Sequence, residues 1–440
     1  VTAGLPSDPL FQRVTEATDD LIALTQDLIQ IPTVNPPGDA YGACCDYLGG
    51  RLERRGFEVT YLRAEGARGD SDAYPRMNVI ARYDTGRPGP CVHFNSHIDV
   101  VEPGAGWTRD PFGAEIDDGK IYGRGACDMK GGLAASIVAV EALIDTVPDL
   151  PGVIEISGTV DEESGGYAGV AWLAERGYFS KPRVDHVLIP EPLYKNCVCL
   201  GHRGVWWGEI AMRGRIAHGS MPFLGTSAIR GMADFLARVE NDLLPALNQR
   251  RTRMPVIPEA ARQSTLNINS LHGGANEEPP GTDRLPAALV ADSCRVVLDR
   301  RYLMEENRKE VVSEIEDLLD KTKAAHPGID FEVREMWSVD PTMTDPDAPV
   351  VRAVSAEIER VLGAPAQHVA SPGTYDQKHI ARVGQLKDCI AYGPGILELA
   401  HQPDEYIVID DMVQSAKVMA AATWRLLHGD VAPAPADPGF

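Results

Sequence analysis

The feature that most constrains this chain is a series of short apolar runs that each stop on an acidic or imidazole side chain. CVHFNS, from Cys91, is followed at once by His97, Ile98 and Asp99. VIEISGTV, from Val153, delivers Asp161, Glu162 and Glu163, and HVLIPEP, from His186, carries Glu191 at its end. Between the first two runs a glycine-rich turn (Gly123, Gly125) sets down Asp128 ahead of GGLAASIVAVEALI, which reads as a helix packed on all sides. Strands alternating with helices, with polar groups gathered where the strands end, describe an α/β sheet whose site lies along one edge. On a continued strand His97 and Asp99 share a face, which suits a metal-bound imidazole whose far nitrogen is fixed by a carboxylate. Taken singly, each acid has an ordinary explanation as a surface charge or a helix cap, Asp being a common N-cap residue. The set is much harder to dismiss.

Taken in order, residues 15–30 and 41–55 carry apolar residues at helical spacing, the first stopped by Pro32 and the Pro36-Pro37 pair. Strands are expected from Phe57, Met77, Cys91, Val153 and His186, and a helix from about Ala168 to Arg176. Near residue 200 the pattern changes. VWWGEIAMRG, STLNINSLHGG and ADSCRVVLDRR read as strands, and long helices are expected over 226–247 and 305–325. That set fits a compact α+β insertion with an antiparallel sheet. Linker-like composition around Pro327-Gly328 and Pro341 marks a return to the first domain. The expected division is a first domain in two parts, 1–200 and 336–428, an insertion over 201–335, and a flexible Pro/Ala-rich tail over 429–440.

At 440 residues the chain is long enough for more than one core. With 42 Lys and Arg against 64 Asp and Glu, its formal charge of −22 argues against binding the phosphate backbone of nucleic acids. The 8 cysteines show neither a disulfide framework nor zinc-ribbon spacing, which points to reduced, buried thiols. No apolar run approaches the roughly 20 residues that cross a bilayer, and no secretory signal is visible. A cytoplasmic protein is the expectation.

The segments HIDVV, GRGACDMKGG, TVDEESGG, IPEP, AHGSMP, GPG and AHQPDE stand in the order and approximate spacing of the M20 metallopeptidases and deacylases, and over residues 15–427 the chain resembles that family. The family includes acetylornithine deacetylase, succinyl-diaminopimelate desuccinylase, aminoacylase and glutamate carboxypeptidase. The resemblance implies an α/β, zinc-peptidase-like catalytic domain with a mixed sheet and an inserted α+β dimerisation (lid) domain. It implies two divalent ions: Asp128 bridges them, His97 and Glu191 complete one site, and Glu163 and His401 the other. Nitrogen and oxygen ligands suit zinc, with cobalt or manganese as alternatives. By the same resemblance Asp99 orients His97, Glu162 is the general base, and His218 of a neighbouring subunit reaches the oxyanion, so that the working form is a homodimer or a higher homo-oligomer. Arg301, with Arg300 as a rival, matches the arginine that binds the substrate carboxylate. Asn267 or Asn269, and the loop carrying Gly373, Thr374 and Asp376, match substrate-facing positions.

Two departures bear on substrate. The segment after His272-Gly273-Gly274 is longer than the family's, and Tyr375 replaces the usual small residue, where it is expected to narrow the pocket. His93, His186, His202, His326 and His379 have no motif support and are read as structural. The leading expectation is a small-molecule amidohydrolase acting on an N-acyl amino acid, with Glu191 favouring deacylases and carboxypeptidases over aminopeptidases. The alternatives are a dipeptidase or glutamate-type carboxypeptidase, an aminohydrolase that removes an amine from a small aromatic acid, and a binding homologue that has lost its chemistry.

Overall fold

A computed structural model describes residues 5–274 and 288–431. The lengthened 275–292 segment lies outside them up to residue 287, and the expected flexible tail lies outside them from residue 432. The chain divides into two compact units, one of residues 1–201, 343–369 and 375–440, the other of residues 202–342 and 370–374.

The first unit is built on a nine-stranded sheet. Its centre runs Val153–Thr159, Cys91–His97, His186–Pro192 and Cys389–Gly393, each parallel to its neighbour. Glu58–Arg63 and Met77–Asp84 extend the sheet antiparallel beside Val153–Thr159. Central parallel strands are covered on both faces, which is why Cys91–His97 and Val153–Thr159 are buried along their whole length. Because these strands run the same way, the residues after each of them emerge at one edge, as the sequence pattern requires.

The helix Gly131–Thr146 packs directly under that edge. It is buried from Gly131 to Leu143, and a Cβ on Gly132 would overlap the Pro190 carbonyl oxygen. That glycine lets the helix approach the strand that carries Glu191. Helices Ser7–Glu16, Pro349–Leu362 and Ile409–His428 join it around a core that includes Leu10, Ile137, Val354, Met419 and Trp424. The helix expected over 15–30 is Thr18–Gln30, and a further helix, Ser7–Glu16, precedes it.

The second unit holds a four-stranded antiparallel sheet in the order Thr265–Gly273, Ser293–Tyr302, Gly204–Arg213, Asp330–Val339. Helices Ala228–Arg238 and Arg308–Ala325 bury Phe235, Ile315 and Leu319 against Trp206, Ile210, Val296 and Leu298. The expected helix over 226–247 is regular only to Arg238 and then passes through a wider turn before Leu244–Leu247. The unit runs past the expected end at 335. Asp330–Val339, not read from the sequence as a strand, is the fourth strand and pairs along Gly204–Arg213. Its charged residues face solvent, as an edge strand allows.

Candidate active site

Five side chains meet at the edge of the first unit in two groups that share Asp128. One is His97, Asp128 and Glu191, the other Asp128, Glu163 and His401, and within each group the ligand atoms lie within 4.8 Å of one another. His97 Nε2 is 3.1 Å from Asp128 Oδ1 and 3.8 Å from Glu191 Oε1. His401 Nε2 is 3.1 Å from Glu163 Oε1 and 3.4 Å from Asp128 Oδ2. Each carboxylate oxygen of Asp128 thus faces a different imidazole.

The backbone explains the convergence. His97 is the last residue of its strand, and Glu191 is the penultimate residue of its own. Asp128 sits in a turn between Gly125, whose φ of +84° suits glycine, and the helix from Gly131. Glu162 and Glu163 form a single turn that follows Asp161, itself in the left-handed region at φ +63°. Asp161 is anchored by the Tyr41 hydroxyl at 2.9 Å and by Arg76 Nε at 3.0 Å.

Asp99 acts differently from the expectation. The strand ends at His97, so the two residues do not continue along one face. His97 Nδ1 donates to the backbone carbonyl of Asp99 at 2.9 Å, while the nearest Asp99 carboxylate oxygen is 3.6 Å away, beyond a hydrogen bond. That carboxylate instead accepts the backbone N–H groups of Glu162 and Glu163, both at 3.2 Å, and Asn35 Nδ2 at 2.9 Å. One residue therefore fixes the imidazole through its main chain and the paired glutamates through its side chain.

Two residues to which the sequence reading gave no role complete the surroundings: Glu405, the last residue of AHQPDE, and Lys378. Glu405 is fully buried and accepts from the backbone N–H groups of Cys127 (2.8 Å), Asp128 (3.0 Å) and Gly125 (3.2 Å), with Arg124 beside it at 2.5 Å. Lys378 donates from Nζ to Glu162 Oε1 at 2.7 Å. Neither was visible as a contact, because the partners lie more than 200 residues apart in the chain.

The remaining expected residues have these places. In the second unit the side chains of Ser293–Tyr302 alternate between faces, so Arg300 points inward with Leu298 and Tyr302 and is fully buried. It bonds to Ser264 Oγ at 2.6 Å and Glu306 Oε1 at 2.6 Å, which removes it as the rival carboxylate binder. Arg301 faces the other way and pairs with Asp299 at 2.7 Å. Asn267 Nδ2 donates to Asn269 Oδ1 at 2.8 Å. His218 is exposed on a short strand, its Nδ1 accepting from the Ser220 hydroxyl at 2.7 Å. Gly373 and Thr374 belong to the second unit's 370–374 segment. Tyr375, expected to narrow a pocket, is instead buried in the first unit with its hydroxyl 2.6 Å from Gln377 Oε1. His93, read as structural, lies between Glu155 Oε2 (3.0 Å) and Ser157 Oγ (2.8 Å) in the sheet.

Without a cation the cluster is strongly perturbed. Burial lifts Glu163 to about 7 and Glu191 well above the carboxylate range, and the Asp128 charge pushes both the same way. Burial opposes ionisation of Asp128 too, but its hydrogen bonds to His401 and His97 hold it low. Burial works against a charged His97, yet its bond to Asp128 and the nearby Asp99 carboxylate keep it well above the usual imidazole value. His401 is raised to about 10 by its bonds to Asp128 and Glu163. One buried imidazole, His97, one exposed one, His401, and three carboxylates without sulfur form a donor set that fits a pair of divalent cations, with one Asp128 oxygen available to each group.

Comparison with known proteins agrees with this geometry. A family profile for peptidase family M20/M25/M40 matches residues 93–425. The succinyl-diaminopimelate desuccinylase of Thioalkalivibrio sulfidiphilus is 30% identical over 422 residues, covering 93% of this chain and 99% of that enzyme. Among solved structures, the dipeptidase Dug1p of Saccharomyces cerevisiae superposes with a TM-score of 0.72 at 16% identity, covering 96% of this chain and 99% of that one. The M20 metallo-carboxypeptidase Sso-CP2 of Sulfolobus solfataricus gives 0.72 at 20% identity over 92% and 99%. Fold and site thus define a metal-dependent hydrolase of amide C–N bonds. The chain belongs to the M20 family of metallopeptidases and deacylases.

Proposed function

We propose that this protein removes the acyl group from an N-acyl amino acid, in the manner of a succinyl-diaminopimelate desuccinylase. The observation that carries the reading is the sharing of Asp128 between two ligand groups with Glu162 next in the chain to one of the ligands. The relative at 30% identity over nearly its full length supports the acyl-amino-acid class. His97, Asp128 and Glu191 would hold one ion and Asp128, Glu163 and His401 the other. Zinc is the proposed metal, with cobalt or manganese as alternatives. Once bound, such ions supply Lewis acidity toward the amide carbonyl and toward water.

The protein's own part is proton transfer and positioning. Glu162 accepts a proton from the attacking water as its oxygen bonds to the acyl carbon. It returns that proton to the nitrogen as the C–N bond breaks, giving a carboxylic acid and a free amine. Asp99 keeps Glu162 and Glu163 in register by holding both backbone N–H groups, so one carboxylate can ligate while its neighbour stays free for the proton. For His218, Arg301, Asn267, Gly373 and Thr374, the family resemblance supports a substrate-facing role.

A homodimer in the cytoplasm belongs to the same proposal. The exposed apolar side chains of Ile216, Phe223 and Leu224 in the second unit support self-association, and eight free, buried cysteines support a reducing compartment. The test is a panel of N-succinyl and N-acetyl amino acids against dipeptides, with metal-reconstituted protein and ammonia release followed in parallel. Fastest turnover of an N-acyl amino acid is expected. Preference for a dipeptide would move the protein to the peptidase branch, and ammonia release without carboxylate release would make it an aminohydrolase.

A further inference from the structure

Glu162 is held by a buried lysine outside both candidate ligand groups. Lys378 is the second residue of the helix Gln377–Arg382, and its Nζ lies 2.7 Å from Glu162 Oε1, with the two side chains only 2% and 12% exposed. Glu162 Oε2 has no hydrogen-bond partner among the described residues. Two positions before Lys378, Asp376 is also buried. Its Oδ2 accepts from Asn95 Nδ2 at 3.0 Å, and its Oδ1 has no partner among the described residues. Asn95 in turn lies on the strand that ends in His97, and its Oδ1 accepts from Ser157 at 2.9 Å. Lys378 therefore stands on a short helix braced against the central strands, in a pocket otherwise crowded with carboxylates.

A glutamate that moves protons needs one oxygen placed and the other available. A flexible, unpaired carboxylate among Asp99, Asp128, Glu163, Glu191 and Asp376 would be driven toward solvent by like charge. The buried ammonium counters that repulsion, and as a directional donor it also fixes which oxygen faces the chain.

We propose that Lys378 is the positioning residue for Glu162, holding its Oε1 so that Oε2 is presented to the reacting water. The proposal rests on Glu162 being the proton-transfer residue. The variants are Lys378→Met, which keeps the length and removes the charge, and Lys378→Arg, which keeps a donor. With the best substrate of the panel, K378M loses roughly 100-fold or more in kcat, within the range general-base contributions cover, while KM and the metal content stay near wild type. K378R recovers much of that loss. In crystals of the metal-loaded variants the Glu162 side chain leaves its position in K378M and keeps it in K378R, with the five ligands unmoved. A K378M enzyme with wild-type kcat, or a Glu162 that stays in place without the lysine, overturns the proposal, as does equal loss of metal from both variants. The crystallographic arm needs no substrate. If the panel fails while the Glu162 displacement is seen, the substrate reading has failed and the role of Lys378 has not.

Discussion

Glu405 holds the backbone of Asp128: its Oε1 accepts the Asp128 N–H at 3.0 Å, and the glutamate stands four residues after His401. The same carboxylate therefore ties the loop of one ligand to the turn that carries the shared one. Removing it leaves the Arg124 guanidinium buried without its carboxylate, with only the Pro103 carbonyl at 3.2 Å to accept from it, and strips three backbone donors of their acceptor. Loss of one member of such a pair costs roughly 3–5 kcal/mol. Glu405→Ala should lower the urea midpoint of the metal-free protein accordingly and weaken metal retention on dialysis against a chelator. An unchanged midpoint with full retention would remove Glu405 from the architecture of the site.

Glu162 touches neither ligand group as a member, so its loss should separate chemistry from metal binding. Glu162→Ala is expected to bind metal as wild type does and to turn over roughly 100- to 10,000-fold more slowly. Metal analysis beside steady-state kinetics measures both. Full activity in this variant would assign proton transfer to another group.

Metal loading should release protons. In the metal-free protein His401 titrates at about 10 and Glu163 at about 7, so at pH 7 the imidazole carries a proton and the carboxyl is partly protonated. A cation needs both unprotonated, so its apparent affinity should rise with pH, by about tenfold per unit for each proton displaced. Calorimetric titration with zinc at pH 7 in buffers of different ionisation enthalpy counts those protons. Heats that do not depend on the buffer would contradict the perturbed state of the cluster.

Away from the site, Glu155 is fully buried and meets His93, Arg82 at 2.7 Å and Arg183 at 2.6 Å. Burial raises its pKa, but the His93 bond and the arginines outweigh it and leave it below the ordinary value. A lowered folded pKa means the stabilisation is present above the unfolded pKa and is lost as pH falls through the folded one. Glu155→Gln should therefore destabilise by roughly 3–5 kcal/mol at pH 7, with the gap to wild type closing on acidification. A gap that widens toward low pH would show that Glu155 is not ionised in the fold.

Four of the five candidate ligands were legible in the sequence for a physical reason. His97 and Glu191 end apolar strands, Glu163 follows one, and Asp128 sits between glycines and a helix, so local pattern and chemistry coincide. Lys378 left no such mark, and Glu405 ended the AHQPDE segment without anything local to show its role. Each acts by burial against a partner far along the chain, and an isolated Lys or Glu reads as a surface charge. Asp99 was legible as part of the site, but its role was not, because where the strand stops decides whether carbonyl or carboxylate reaches the imidazole. Arg300 and Arg301 were separable only once Leu298 and Tyr302 had fixed which face of their strand is inward. The strand Asp330–Val339 was missed since its charged outward side masks an apolar alternation.

The central claim is that one aspartate serves two cations, and metal content measures it most directly. Wild-type protein saturated with zinc and passed through a desalting column should carry about two ions per chain, while Asp128→Ala should lose both at the same concentration. Wild-type protein that leaves the column with no bound zinc, or an Asp128→Ala variant that retains the full complement, would contradict the account.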